Sequence, residues 1–251
     1  MAYMKQEEIT AFRALMRSLY FSNETIDDFT SSATPGQITA VGNMLLYELD
    51  VRERRKKERL LRKARFPRIK SFEGYDFSQV TFPDDYGVEA SKGLSFVDAA
   101  QDFVFYGQTG RGKTHLATAI GLAYVNLGME TRFCTAAGLV LELTKANREH
   151  RLEQLLRDIS KARLLIIDEL GYVPLDREGA RLLFQVMSDC YEKRSLVITT
   201  NIEFSKWGVV FGDNKMASAL IDRIMHHGRL VEFSGASKRM EHALMLGKAN
   251  A

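Results

Sequence analysis

One short segment carries residue types suited to binding a nucleoside triphosphate. It reads Gly107-Gln108-Thr109-Gly110-Arg111-Gly112-Lys113-Thr114, which fits the pattern G-x-x-x-x-G-K-[ST] without a mismatch. Glycines let backbone N–H groups turn inward around phosphate oxygens, and the N-terminus of a following helix adds a favourable dipole. We predict that Lys113 neutralises the β- and γ-phosphates and that the Thr114 hydroxyl ligates Mg²⁺. His115, which begins the predicted helix, is included among the nucleotide-binding residues.

A pair of acidic residues follows an apolar run further along the chain. The run is Leu164-Leu165-Ile166-Ile167, and the pair is Asp168 and Glu169. A buried strand would deliver Asp168 to its C-terminal end, where the carboxylate can hold Mg²⁺ through water. Glu169 is then placed to orient and deprotonate an attacking water. An adjacent acid pair is typical of hydrolytic ATPases; taken alone, it also fits an exposed acidic turn.

Three further residues are candidates for contacts with the nucleotide. Asn201 follows a predicted strand, from which its amide can reach the γ-phosphate and the lytic water; an ordinary turn is the alternative. Arg223 lies on a predicted helix after that strand and can complete a neighbouring subunit's site as an arginine finger. The alternative for Arg223 is a salt bridge with Asp222 or another neighbour. Arg239 is a second candidate for nucleotide sensing.

The histidines and cysteines give no metal pattern in the sequence. His226 and His227 could ligate a metal, but no cysteine or acidic residue lies at a suitable spacing, so we expect polar residues at a helix end. Cys134 and Cys190 are expected to be reduced, buried core residues.

Alternating strands and helices must position these candidate residues. From about residue 84 the sequence predicts five strands, at 102–106, 131–135, 164–168, 195–200 and 230–233. The two central runs are apolar nearly throughout, as in strands buried on both faces of a parallel sheet. Helical segments between the strands imply right-handed crossovers. We therefore predict an α/β three-layer domain over residues 84–251, with a central five-stranded parallel sheet.

The N-terminal part is predicted to be a small all-helical module covering residues 1–65. Ile9, Phe12 and Leu15 recur at helical spacing, and a second helix is predicted from Gln37, after the break at Thr34-Pro35-Gly36. Residues 66–83 contain prolines and interleaved aromatics and are expected to form a linker to the α/β domain.

Positive charge is concentrated in one segment. Residues 52–70 carry eleven basic and two acidic side chains, although the whole chain of 251 residues has a net charge of only +3. Such a segment attracts polyanions and can neutralise DNA phosphates, although a solvated helix between two modules is the alternative. The residues expected to contact DNA are Arg52, Arg54, Arg55, Lys56, Lys57, Arg59, Arg62, Lys63 and Arg65.

A second basic set lies between the second and third strands predicted above. For this set, DNA contact and an ordinary surface helix with Glu/Arg pairs are both open interpretations. Its members are Lys145, Arg148, Arg151 and Arg157.

The order and spacing of these motifs resemble the AAA+ ATPase superfamily. The resemblance is closer along the segments 164–176, 198–201 and 222–227, where the chain looks like the IstB-like family. These are ATP-dependent helper proteins of bacterial insertion sequences, related to DnaC-type helicase loaders. The family usually ends with a pattern close to Gly-x-Ser-Tyr-Arg, whereas Lys238 here replaces the tyrosine before Arg239.

The resemblance implies a bacterial ATPase with ATP and Mg²⁺ as cofactors, which oligomerises on duplex DNA largely without sequence preference and recruits and stimulates a cognate transposase. A DnaC-like replicative helicase loader is the alternative. A small-molecule P-loop kinase is a further one, against which the acid pair, Asn201 and the basic segment argue. With no apolar run of 18 residues and no signal-peptide core, we expect a cytoplasmic protein without a membrane partner.

Overall fold

The chain divides into two compact units, residues 1–59 and 60–251. A computed structural model describes residues 6–241, so the ends of the expected modules, residues 1–5 and 242–251, lie outside the described part. No helix within residues 6–241 is long and apolar enough to cross a membrane.

The first unit is helical, as predicted. It contains α1 (Gln6–Ser18), α2 (Asn23–Ser32) and most of α3 (Pro35–Ala64), inside which the boundary between the units falls. Helix α3 begins at the break itself, because Gln37 Oε1 accepts from the Thr34 N–H at 2.8 Å and Thr34 Oγ1 accepts from the Gln37 N–H at 3.4 Å. The buried residues of this unit are Phe12, Met16, Leu19, Ile26, Ile38 and Leu45.

The second unit is built on a six-stranded sheet with the order β1-β6-β2-β5-β4-β3. Strands β2 to β6 are mutually parallel, which confirms the predicted five-stranded parallel sheet. Strand β1 pairs antiparallel with β6 at the edge of the sheet. It has only two residues, which are too few to give a recognisable sequence pattern. The strands are β1 (Val80–Thr81), β2 (Asp102–Tyr106), β3 (Thr131–Thr135), β4 (Leu164–Leu170), β5 (Ser195–Thr200) and β6 (Gly228–Phe233).

Helices cover both faces of this sheet because successive strand residues point to opposite sides. Leu165 and Ile167 of β4 join one buried cluster, while Leu164 and Ile166 join the other. The first cluster is covered by α7 to α11, and the second by α4 to α6. The helices are α4 (Val88–Gly93), α5 (Ser95–Asp98), α6 (Lys113–Asn126), α7 (Ala136–Arg148), α8 (Leu152–Ser160), α9 (Arg177–Cys190), α10 (Trp207–Phe211), α11 (Asn214–His227) and α12 (Lys238–Glu241).

Residues 66–83, the expected linker, group with the second unit. The aromatic residues of this segment pack on the core that includes α6, because removing the apolar surface of a ring from water lowers the free energy of the folded chain. The last turn of α3 also belongs to the second unit, since Leu60 and Ala64 are buried with Val125. The side chains of the segment that pack on the core are Phe66, Phe72, Tyr75, Phe77, Val80 and Phe82.

Both cysteines carry free thiols. Cys190 is buried in α9, as expected, whereas Cys134 in β3 is only partly buried. Burial raises the pKa of the Cys190 thiol to about 11 and that of Cys134 to about 12, so both are protonated at neutral pH.

Candidate functional site

Most of the predicted nucleotide residues line one cleft, of about 820 Å³, at the C-terminal ends of β2 and β4. Residues 109–115 form one wall, and Asp168 and Glu169 lie on another. The cleft is also lined by Tyr75 and Asp76 from the expected linker and by Lys238 and Arg239 after β6. In an open parallel sheet, the C-terminal edge is where ligands bind, so the cleft has the position of a ligand site.

The glycines of the phosphate loop are required by its close contacts. Gly107 has a φ of +153° and Gly110 a φ of +85°. A Cβ atom would lie 2.3 Å from the Phe233 carbonyl oxygen at Gly107 and 2.1 Å from Ser237 Oγ at Gly110. The Arg111 guanidinium donates to the Phe233 carbonyl at 3.0 Å, and the Lys238 N–H donates to the Gly110 carbonyl at 3.1 Å. The chain at and after the end of β6 therefore fixes the loop in shape.

Lys113 lies inside the loop at the start of α6. Its side chain is buried, and its Nζ donates to the carbonyls of Gly107 and Gln108, the latter at 2.8 Å. Burial lowers the pKa of Lys113 to about 8, an effect that the Asp168 carboxylate opposes. A buried ammonium surrounded by loop backbone can neutralise phosphate charge where the loop N–H groups meet the ligand.

The donor set next to Lys113 fits a magnesium ion. Thr114 Oγ1 donates to both Asp168 carboxylate oxygens, at 2.9 and 3.1 Å, and the Thr199 hydroxyl donates to Oδ1 of the same carboxylate. Hydroxyl and carboxylate oxygens are ligands that Mg²⁺ prefers, usually with several waters retained. The hydrogen bond from Thr199 on β5 fixes the Asp168 side chain on β4.

Glu169 lies at an irregularity in β4. The pairing of β4 with β5 shifts register between Ile167 and Leu170, and Glu169 has a φ of +61°. Its N–H donates to Thr199 Oγ1 at 3.0 Å. The strand was predicted to end at Asp168, whereas it continues to Leu170 through this bulge. A bulge re-aims a side chain, and the Glu169 side chain is exposed at the cleft while its neighbours in β4 are buried.

Asn201 and Arg223 lie outside the cleft of their own chain. Among the described residues, the Asn201 Oδ1 atom is buried and has no hydrogen-bond partner. The Arg223 guanidinium stacks 5.8 Å from the Phe184 ring centroid and 6.0 Å from that of Tyr191. Within residues 6–241 it forms no ion pair with Asp222, which was the alternative. Arg223 lines a different groove of the second unit, together with Phe184 and Tyr191.

The cleft also has a wall that the sequence did not predict. Lys238 Nζ lies 3.0 Å from an Asp76 carboxylate oxygen and 5.7 Å from the Tyr75 ring centroid. The Tyr75 hydroxyl donates to the Gly112 carbonyl at 3.4 Å, and its ring meets that of His115 edge-on at 4.9 Å. Hydrogen bonds from Ser78 and then Lys238 lower the pKa of Asp76 to about 2. The interleaved aromatics around Tyr75 are interpreted from the sequence as part of a linker, and no local sequence pattern indicates the surface on which Tyr75 packs.

The basic residues of α3 and Arg65 are all exposed. Four of the nine are paired, Arg52 with Glu48, Arg54 with Asp50, Lys63 with Glu130 and Arg65 with Glu142. Within the described part of the chain, the other five have no ion pair, so their charge is available to a polyanion. These five are Arg55, Lys56, Lys57, Arg59 and Arg62.

The second basic set lies around the turn between α7 and α8. Arg151 pairs with Glu149, and Arg157 pairs with Glu153 at 3.5 Å. Lys145 and Arg148 are exposed at the end of α7 and have no ion pair among residues 6–241. The set therefore combines two Glu/Arg pairs with two cations, Lys145 and Arg148, that have no ion pair in the described part of the chain.

Comparison with known proteins decides the family. Residues 15–245 match the family described as IstB-like ATP binding protein. The chain belongs to this family. A protein of Pseudomonas aeruginosa named as an insertion sequence IS21 ATP-binding protein is 34% identical over 244 residues, which cover 97% of this chain and 92% of that one. The resemblance inferred from the sequence is therefore confirmed.

The chain is also similar to solved structures. AMPPCP-bound DnaA from Aquifex aeolicus is 18% identical with a TM-score of 0.51, covering 65% of this chain and 52% of that one. The DnaC helicase loader is 21% identical with a TM-score of 0.48, covering 60% of this chain and 95% of that one. The likeness to DnaA and the observed sheet confirm the predicted P-loop fold of the AAA+ type.

Proposed function

We propose that this IstB-like protein is an ATP-hydrolysing helper of an insertion sequence. It assembles on duplex DNA and recruits and stimulates the cognate transposase. The observation that carries the proposal is the contact of Thr114 with Asp168 beside Lys113, with Glu169 turned out by a bulge at the same cleft. A relative named for an insertion sequence supports the biological setting.

In the proposed reaction, the loop N–H groups and Lys113 bind the phosphates of ATP, and Glu169 removes a proton from the water that attacks the γ-phosphorus. The bond from the γ-phosphorus to the bridging oxygen breaks, which gives ADP and phosphate. Thr114 and Asp168 would hold Mg²⁺, which would supply neutralisation of phosphate charge during the reaction. Arg239 also lines the cleft and binds phosphate there.

The site is completed by a neighbouring subunit. Arg223 lies outside its own cleft, and its guanidinium rests on two rings that can hold it outward toward a neighbour's γ-phosphate. Within its own subunit, Asn201 directly follows β5 and must turn its amide into the cleft to position the lytic water; its Oδ1 atom lacks a hydrogen-bond partner among the described residues. ATP binding thereby links subunits, and hydrolysis loosens the assembly.

DNA is held by phosphate contacts from the basic helix. The five unpaired cations of α3 supply most of this attraction, because they neutralise phosphates without first breaking an ion pair. The second basic set contributes through Lys145, Arg148 and Arg151, which lie together around one turn.

Mixing two inactive variants tests the shared site. Lys113→Ala removes nucleotide binding, and Arg223→Ala removes the donated arginine. We expect each alone to lack ATP hydrolysis on duplex DNA and the mixture to recover a substantial part of it, because mixed assemblies contain intact composite sites. An inactive mixture of two folded variants would contradict donation between subunits.

Assembly and partner choice are tested with the unmodified chain. With ATP and duplex DNA together, sedimentation should show oligomers that neither ligand gives alone; a monomer under these conditions would contradict the proposal. Pull-down with the cognate transposase and with the replicative helicase separates the two candidate roles. Capture by transposase supports a transposition helper, whereas capture by helicase alone would assign a loader instead.

A further inference from the structure

Three metal-ligating side chains meet on the second unit away from the nucleotide cleft. Their ligand atoms, from Glu192, His226 and His227, all lie within 4.8 Å of one another. The histidines end α11, and Glu192 lies in the turn between α9 and β5. More than thirty residues separate Glu192 from the histidines, so the acidic partner that the sequence spacing lacked is supplied by the fold.

The distances suit a small tetrahedral ion. His227 Nε2 lies 3.1 Å from Glu192 Oε1. The ring centroids of His226 and His227 are 4.4 Å apart, and the two ring planes make an angle of 86°. A tetrahedral zinc ion, with bonds of about 2.0–2.2 Å, places neighbouring ligand atoms about 3.4 Å apart. Small side-chain movements therefore convert the present hydrogen bond into shared coordination.

One histidine is already oriented by an outer contact. His226 Nδ1 lies 3.0 Å from the Tyr191 hydroxyl, which leaves Nε2 for another ligand. Metal-binding histidines usually form such a hydrogen bond through their other ring nitrogen, which fixes the ring and its tautomer. The Tyr191 ring also packs edge-on against His227, with centroids 5.1 Å apart.

Local charge and space also favour a cation. The C-terminal end of α11 carries partial negative charge, to which the Glu192 carboxylate adds. The nearby Arg229 guanidinium is already paired with Asp85 at 2.8 Å. Both histidines line a groove of about 610 Å³, which leaves room for an ion and a bound water.

We propose that Glu192, His226 and His227 bind one divalent transition-metal ion of the zinc class, with a fourth position open to water. Two imidazoles and one carboxylate suit zinc, whereas the oxygen ligands at Thr114 and Asp168 suit magnesium, so the two sites select different metals. A bound ion would join the turn before β5 to the end of α11.

Calorimetric titration of the full, chelator-treated chain with Zn²⁺ tests the proposal. We expect one ion per chain, and at least tenfold weaker binding after His226→Ala, His227→Ala or Glu192→Gln. His150→Ala is the matched control, because His150 is exposed and outside the cluster, and it should bind as the wild type does. Co²⁺ in place of Zn²⁺ should give a tetrahedral absorption spectrum that the three ligand variants lose.

The outcome is decisive even if a histidine variant folds poorly. Glu192→Gln keeps the size of an exposed side chain, so circular dichroism should show a wild-type fold while zinc affinity falls. The absence of stoichiometric zinc binding by the wild type would overturn the proposal. So would undiminished binding by a folded variant that lacks both histidines.

Discussion

At the scale of single residues, the charge of Lys113 couples nucleotide affinity to pH. Burial lowers its pKa to about 8, so the free protein loses this positive charge as pH rises through 8. Bound phosphates favour the charged form, and the proton must then be taken up on binding. We expect the Kd for a non-hydrolysable ATP analogue to rise about tenfold between pH 7 and pH 9, measured by calorimetry.

The matched variant for this prediction is Lys113→Arg. Arginine stays charged over the whole range, so its binding should be weaker than that of the wild type but nearly independent of pH. An equal pH dependence in the variant would assign the effect to another group.

Glu169 permits a separate prediction about hydrolysis. Its side chain reaches the cleft because of the bulge, and Glu169→Gln keeps the size of the side chain while removing the base. We expect ATP affinity to change less than about twofold and turnover to fall by about 10²–10⁴-fold. Phosphate release in the presence of duplex DNA, sampled at fixed times, measures turnover. Glu153→Gln on the surface of α8 is the control. Wild-type turnover in Glu169→Gln would remove its assignment as the base.

At the scale of helices and strands, the sequence predicted the elements that depend on the pattern of neighbouring residues. The strands at 102–106, 131–135 and 195–200 match the sequence prediction because each consists mainly of apolar, aromatic or β-branched residues. The bulge at Glu169 and the edge strand Val80–Thr81 depend on pairing with β5 and β6, so no local pattern reveals them. For the same reason, the phosphate-loop motif is recognisable from consecutive residues of the sequence, whereas the cleft wall formed by Tyr75, Asp76 and Lys238 is not.

Helix α3 permits a prediction about DNA binding. Replacing Arg55, Lys56 and Lys57 with alanine removes three exposed cations that have no ion pair in the described part of the chain. If all three contact phosphates, the slope of log K against log salt should become shallower by about 3. Fluorescence anisotropy with a duplex at several salt concentrations measures the slope.

The control for this prediction removes the same charge elsewhere. Alanine at Lys161, Lys193 and Lys206, which are exposed outside α3, should leave the slope nearly unchanged. Equal losses in the two triple variants would mean that only net charge matters, against a specific role for the helix.

At the scale of the whole molecule, two separate cores imply two unfolding transitions. Ile26 is buried in the core of the first unit. Leu60 is buried in the second unit, although it lies on α3 and the sequence predicted that it belongs to the helical module. Ile26→Ala should therefore destabilise the first unit, and Leu60→Ala the second, each by about 2 kcal/mol or more. Leu46→Ala is the control, because Leu46 is 57% exposed.

Nucleotide identifies which transition belongs to which unit. A non-hydrolysable ATP analogue at a hundred times its Kd should stabilise only the transition that Leu60→Ala lowers, by about 2.7 kcal/mol. Differential scanning calorimetry follows both transitions in one experiment. A single transition that shifts with all three perturbations would contradict separate cores, because it would require the helical unit to unfold together with the nucleotide-binding sheet.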